Sequence, residues 1–131
     1  MKEMPKWAAD LMGEAIAYRV TQGRTVQVPK VVWRRARRKS SSGAAYPTKG
    51  VVHISVGSDR LDAKVTLLHE LAHIWAPPPG WTHSPAFWDL AWELYRWAKL
   101  PIQYVKQREG SYRKGALVAY HKSMKKEEEG A

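Results

Sequence analysis

Two histidines and a glutamate in Leu67-Leu68-His69-Glu70-Leu71-Ala72-His73-Ile74-Trp75 have the types and the spacing to do chemistry. On an α-helix a separation of four residues is one turn plus about 40°. His69 and His73 therefore project from one face, and their imidazoles can share one metal ion. Glu70 stands about 100° further round and flanks the same face. There it can reach a metal-activated water without being a ligand itself. Two nitrogen ligands beside a carboxylate base form the HExxH arrangement of zinc hydrolases.

Two histidines do not complete a catalytic zinc site, which takes three protein ligands and an open position. The candidates for the third are His83, Glu93 and Asp89. His83 follows a loop forced to reverse by Pro77-Pro78-Pro79-Gly80 and sits just before a helix start, a rigid place to hold an imidazole. Glu93 has the separation from His73 seen when a glutamate is the third ligand, but it lies about 100° from the core stripe of its own helix. His83 is the preferred reading, with Glu93 next. A metzincin pattern fails, because Ala76 and Pro79 stand where its glycine and third histidine belong. A deformylase-like site fails for want of a cysteine.

The elements that must position these groups follow from pattern. Val65, Leu68, Ala72 and Trp75 form one apolar stripe and Leu67, Leu71 and Ile74 a second, so the motif helix is central and buried. Its polar side holds Thr66, His69, Glu70 and His73, which then need partners. Ser58, Asp59 and Asp62 can each cap its start, Asp62 best, and Pro77 ends it. Ser84-Pro85 opens a second long helix to about Lys99, with Phe87, Leu90, Ala91, Leu94 and Ala98 as its core stripe and Pro101 as its stop. Pro5 to about Thr21 reads as a first helix, ended by Gln22-Gly23. Thr25 to about Arg37 reads as a strand weakened by Pro29. Ser40 to Pro47 reads as a flexible connection. Val51 to Val56 alternates cleanly as a strand, with His53 on its half-exposed face; likeness to zinc proteases with a strand before the motif helix implies that it edges the cleft and takes an extended peptide by strand addition. Beyond Pro101 the pattern suggests a short element around Tyr104-Val105 and a helix from Tyr112 to Ser123.

The chain has 131 residues, net charge +10, seven tryptophans and no cysteine. That length suits one domain with a real core, over residues 1–124, and a charged flexible tail at 125–131. Without cysteine there is no disulfide, thiolate ligand or cysteine nucleophile. No signal peptide and no membrane span is read, so a cytoplasmic location and no membrane partner are expected. The charge favours an acidic partner. Arg34-Arg35-Ala36-Arg37-Arg38-Lys39 is the densest basic run and a candidate nucleic-acid contact. A strand end entering a solvated hairpin loop is the preferred reading, because no aromatic is interleaved there as a stacking platform. Most tryptophans are expected in the core.

His69-Glu70-Leu71-Ala72-His73, followed by His83-Ser84-Pro85-Ala86-Phe87-Trp88 and preceded by the strand Val51 to Val56, resembles the SprT-like (Spartan-like) zinc metallopeptidases. That family carries HExxH on one helix and a third histidine in an H-G-x-x-F-type segment opening the next. Ser84 replaces the family glycine, and the family's cysteine-bound C-terminal zinc ribbon is absent. The resemblance covers roughly residues 50–98. It implies an α+β fold, a minimal zincin-like domain: an N-terminal helix, a small antiparallel or mixed β-sheet, then the HExxH helix and a second long helix. The expected function is a peptidase with one Zn2+ on His69, His73 and His83, Glu70 as general base, and a protein or peptide substrate. Tyr112, Arg113, Tyr120 and His121 are candidates for a second oxyanion donor. The alternatives are a nucleic-acid-binding module with a non-catalytic metal, or a zinc hydrolase acting on a non-peptide substrate.

Overall fold

The computed structural model describes residues 4–78, 82–112 and 114–130, with 111, 112, 114 and 126–130 described by backbone alone. The first helix, α1 (Lys6–Thr21), starts behind Pro5, whose carbonyl accepts from the Ala8 and Ala9 N–H groups at 3.1 and 3.0 Å. It ends at Gln22, and Gly23 then takes the left-handed region at φ 77. Fully buried Ala8 and Ala15 let it lie close against the core.

The first strand, β1 (Lys30–Arg35), is shorter than the expected Thr25 to Arg37. Pro29 has no N–H to offer a ladder, and the partner strand β3 (Val51–Val56) reaches only from Val51, opposite Lys30, to Val56, opposite Arg35. Val28 is left exposed.

The second strand, β2 (Ser42–Tyr46), corrects the reading of Ser40 to Pro47 as a flexible connection. Ser-Gly-Ala-Ala carries no β-branched residue, so nothing local announces a strand. Antiparallel pairing with β3 makes it one, Ser42 opposite Ser55 and Tyr46 opposite Val51. The turn between them needs Gly50, which has φ 65 and whose Cβ would fall 2.3 Å from the Gln27 Nε2 atom.

The sheet order is β1-β3-β2, with β1 parallel and β2 antiparallel to β3. Two expectations change with it. β3 is the central strand, paired on both sides, so it cannot be the cleft edge; β2 is the edge. Arg34 to Lys39 does not enter a hairpin, because the chain leaves β1 for the far side of the sheet. The alternation of β3 holds over its first four residues, with Val52 and Ile54 buried and Val51 and His53 half-buried, while Val56 at the strand end is half-buried like Ser55.

The motif helix, α2 (Arg60–Trp75), is capped by Asp59 rather than Asp62: the Asp59 carboxylate accepts from the Asp62 N–H at 3.1 Å. It is central, as its two apolar stripes require, with Val65, Leu67, Leu68, Leu71 and Ala72 fully buried. It packs against β2, β3, α1 and the next helix. It stops at Ala76, extended ahead of Pro77.

The next helix, α3 (Pro85–Trp97), starts where Ser84 Oγ accepts the Phe87 N–H at 3.2 Å. Beside Phe87, Leu90, Ala91 and Leu94 it also buries Trp88, Trp92 and Tyr95. It ends before Pro101 is reached, because Lys99 takes φ 58 and the Leu100 N–H turns back to the Tyr95 carbonyl at 3.1 Å. The region after Pro101 is more helical than expected: α4 (Ile102–Tyr112), then α5 (Lys114–Gly130). The latter carries helical backbone through most of the stretch read as a tail. The fold is thus α+β, with five helices and a small mixed sheet among the described residues. None of those helices is long and apolar enough to cross a membrane.

Candidate metal centre

The last turns of α2 and the start of α3 bring three imidazoles together. His69, His73 and His83 each offer a ring nitrogen, and these atoms all lie within 4.8 Å of one another. His83 Nε2 is 3.2 Å from His69 Nε2 and 3.2 Å from His73 Nε2. His69 and His73 are buried and His83 is more open. Glu93 and Asp89 are elsewhere: Glu93 Oε2 accepts from the Tyr18 hydroxyl at 2.8 Å, and Asp89 is exposed on α3.

The local sequence explains the convergence. The four-residue spacing puts His69 and His73 on one face of α2. The Ser84 cap and Pro85 set the entry to α3, which fixes His83 just outside it. Phe87 and Trp88 in the first turn then pack the rings. Phe87 stacks on His73 at 4.1 Å and meets His69 edge-on at 5.0 Å, while Trp88 stacks on His83 at 5.6 Å.

The far nitrogen of His69 reveals residues that sequence reasoning missed. His69 Nδ1 lies 2.7 Å from Glu109 Oε2, a carboxylate only 2 % exposed. A carboxylate accepts, so Nδ1 carries the proton and a neutral ring presents its Nε2 lone pair to the cluster. Glu109 also accepts from the Tyr95 hydroxyl at 2.9 Å and from Arg108 Nη1 at 2.8 Å. Burial pushes the Glu109 carboxyl up, but the hydrogen bond from His69, together with the Arg108 guanidinium and the Tyr95 hydroxyl, holds it below the usual range. Burial, and then the charge of Glu109, pushes the Tyr95 phenol well up, so it stays a donor.

Arg108 extends the network to Asp62 Oδ1 at 2.8 Å and Thr66 Oγ1 at 2.6 Å. Asp62 accepts in addition from the Tyr104 hydroxyl at 3.1 Å and from the backbone N–H of Ser41, next to β2. One signal for this was present in the sequence. A buried ligating histidine needs a partner for its second nitrogen, and Glu109 is the single acid in Ile102–Tyr112.

Glu70 is buried and lies under β2. A Cβ at Gly43 would come within 2.8 Å of Glu70 Cγ and 2.9 Å of the His53 carbonyl oxygen, so only glycine lets the strand sit on this carboxylate. Gly43, Ala44 and Ala45 wall a recess of about 170 Å3 whose other lining is Glu70 and the three histidines. His53 is not in it; its ring meets Tyr46 edge-on at 5.4 Å. Tyr120 and His121 are not in it either, since Tyr120 packs edge-on against Trp92 at 5.1 Å. Arg113 and the Tyr112 side chain lie outside the described residues, as does Trp81. Of the other tryptophans, Trp33, Trp88 and Trp92 are buried, and Trp7, Trp75 and Trp97 are partly so.

The three nitrogens fit a cation. Nitrogens about 2.0–2.1 Å from a tetrahedral zinc lie about 3.3–3.4 Å apart, close to the 3.2 Å separations found. A hydrogen-bonding account is weaker, because a neutral His83 has at most one Nε2 proton for two imidazole neighbours. No protein-family model, no curated protein and no solved structure matches the chain.

Proposed function

We propose that this chain is a zinc-dependent peptidase with His69, His73 and His83 as ligands and Glu70 as general base. The observation that carries the reading is the convergence of three imidazole nitrogens in a recess shared with a buried glutamate and walled by an edge strand. Three neutral imidazoles suit zinc among the available divalent ions. Bound there, the ion supplies Lewis acidity that brings a water's pKa towards about 7 and polarises a carbonyl.

The chain's own residues do the rest. Glu70 takes a proton from the attacking water and returns it to the amide nitrogen as the carbon–nitrogen bond breaks. Glu109 holds the His69 ring in the tautomer that leaves Nε2 free to ligate. Among the described residues β2 pairs with β3 along one side only, so the backbone groups of its other side can align an extended peptide past Glu70. The small side chains at Gly43, Ala44 and Ala45 leave room for that backbone. A purely structural metal would be closed by a fourth protein ligand and would need no such base.

Glu70→Gln is the test. It keeps the volume and the ligands, so zinc content should match wild type while turnover of denatured proteins falls about 10²–10⁴-fold. Equal turnover in the variant, or a zinc-loaded wild type inert across a broad panel of denatured proteins, rejects the reading.

A further inference from the structure

The basic run Arg34 to Lys39 lacks interleaved aromatics in sequence, but the fold supplies them from elsewhere. A cavity of about 460 Å3 opens beside the run, lined by Trp7 of α1, Trp33 and Arg35 of β1, Val56 of β3 and Arg60 of α2. It shares no lining residue with the imidazole recess. The Arg60 guanidinium lies on the Trp7 ring, 4.8 Å from its centroid, and Trp7 meets Trp33 edge-on at 5.8 Å.

Charge in this cavity is one-sided. Among the described residues, neither the Arg35 nor the Arg60 side chain has a hydrogen bond or a carboxylate partner, and no acid lines the cavity. The Asp59 carboxylate next door is turned into the α2 cap, towards the Asp62 N–H. Arg34 and Arg37 stand exposed nearby and add to the positive field.

Two guanidinium forks without a hydrogen-bond or carboxylate partner, that of Arg60 resting on an indole, match an anion with several oxygens, phosphate above all. The half-buried Trp7 indole, backed by the buried Trp33 and with Val56 beside it, matches a flat, weakly polar ring. The volume lies within the about 300–1,000 Å3 usual for small-ligand sites. We infer that this cavity binds a nucleoside phosphate, its ring against the Trp7 indole and its phosphate between Arg35 and Arg60. A free nucleotide and one unit of a single strand offer the same chemistry. A paired duplex does not, because its bases are already stacked. The inference stands independently of the peptidase reading.

Calorimetry on the full chain at one fixed salt concentration tests it. The probes are adenosine monophosphate, adenosine, inorganic phosphate and a short oligodeoxyadenylate; the variants are Arg35→Gln, Arg60→Gln and, as a charge-matched control on the same run, Arg37→Gln. Loss of a charged hydrogen bond predicts about tenfold weaker binding for each of the first two variants and at most about a twofold change for the control. Mononucleotide binding as tight as that of the oligonucleotide identifies a free ligand. Binding of the oligonucleotide alone, with the same loss in Arg35→Gln and Arg60→Gln, identifies a strand. Equal weakening by all three variants means diffuse attraction and overturns the site. Inorganic phosphate binding as tightly as the nucleotide overturns the role of the indoles, and no binding of either nucleotide probe overturns the whole.

Discussion

Glu109 shows how one side chain sets the state of another. His69 has two ring nitrogens, and a ligand needs one lone pair aimed at the ion. The 2.7 Å contact to a buried carboxylate decides which nitrogen keeps its proton. Glu109→Gln preserves an acceptor but removes the charge that makes the imidazole a better donor of electrons. Metal affinity should fall about 10–100-fold, read by competition with a chromogenic chelator, while far-ultraviolet circular dichroism stays that of the wild type. An unchanged affinity would remove Glu109 from this role. Gly43 acts by absence, since any side chain there collides with Glu70 and with the His53 backbone.

At the scale of elements, Asp62 and Arg108 tie three pieces together: the first turn of α2, the segment entering β2, and α4. Two aspartates near this helix start do different jobs. Asp59 is a cap, and its loss to alanine should cost about 1 kcal/mol. Asp62 is a buried partner of a half-buried arginine, and its loss should cost about 3 kcal/mol because Arg108 and the Ser41 N–H lose their acceptor. Urea melts of Asp59→Ala and Asp62→Ala should rank in that order; the reverse would return Asp62 to the capping role. The same carboxylate governs an alkaline limit. Burial, then the Asp62 charge, pushes the Tyr104 phenol up to about 12 from 10.0. A raised folded pKa favours the protonated form in the native state, so this contribution is complete below the unfolded value and is lost as pH rises from 10.0 to about 12. Tyr104→Phe should flatten stability across that window. Parallel decline of wild type and variant would show that Tyr104 contributes nothing there.

For the whole molecule, the imidazole cluster joins the end of α2 to the entry of α3 across a proline-rich loop. An ion held there binds the folded state and not the unfolded chain. It should therefore stabilise the fold by about 2.7 kcal/mol when free metal is 100 times its dissociation constant. A chelator should lower the melting temperature and added zinc should restore it, whereas His83→Ala should melt alike under both conditions. A wild-type melting temperature indifferent to chelation would mean that no cation is held.

Much of this is legible in the sequence. A spacing of four, two apolar stripes and the Ser84-Pro85 start are local signals, and helix geometry alone turns them into one buried helix, a second capped helix and a shared face for His69 and His73. His83 was preferred over Glu93 and Asp89 by such local signals, and the structure gathers it with the other two. What local signals could not carry was anything decided by a distant partner. β2 is a strand because β3 lies beside it, not because Ser-Gly-Ala-Ala prefers to be one. β3 is central and β2 marginal because the chain crosses the sheet after β1. Asp62 reads as a cap until Arg108 and Tyr104 arrive from α4, and Arg35 reads as a solvated cation until the fold sets it on a cavity that Trp7 and Arg60 also line. Backbone periodicity is a property of neighbours in sequence, so the sequence by itself determined the first three helices and the face that His69 and His73 share. Ion pairs, sheet order and cavities are properties of neighbours in space, so only the tertiary structure decided the His69 partner, the strand beside Glu70 and the charged aromatic cavity.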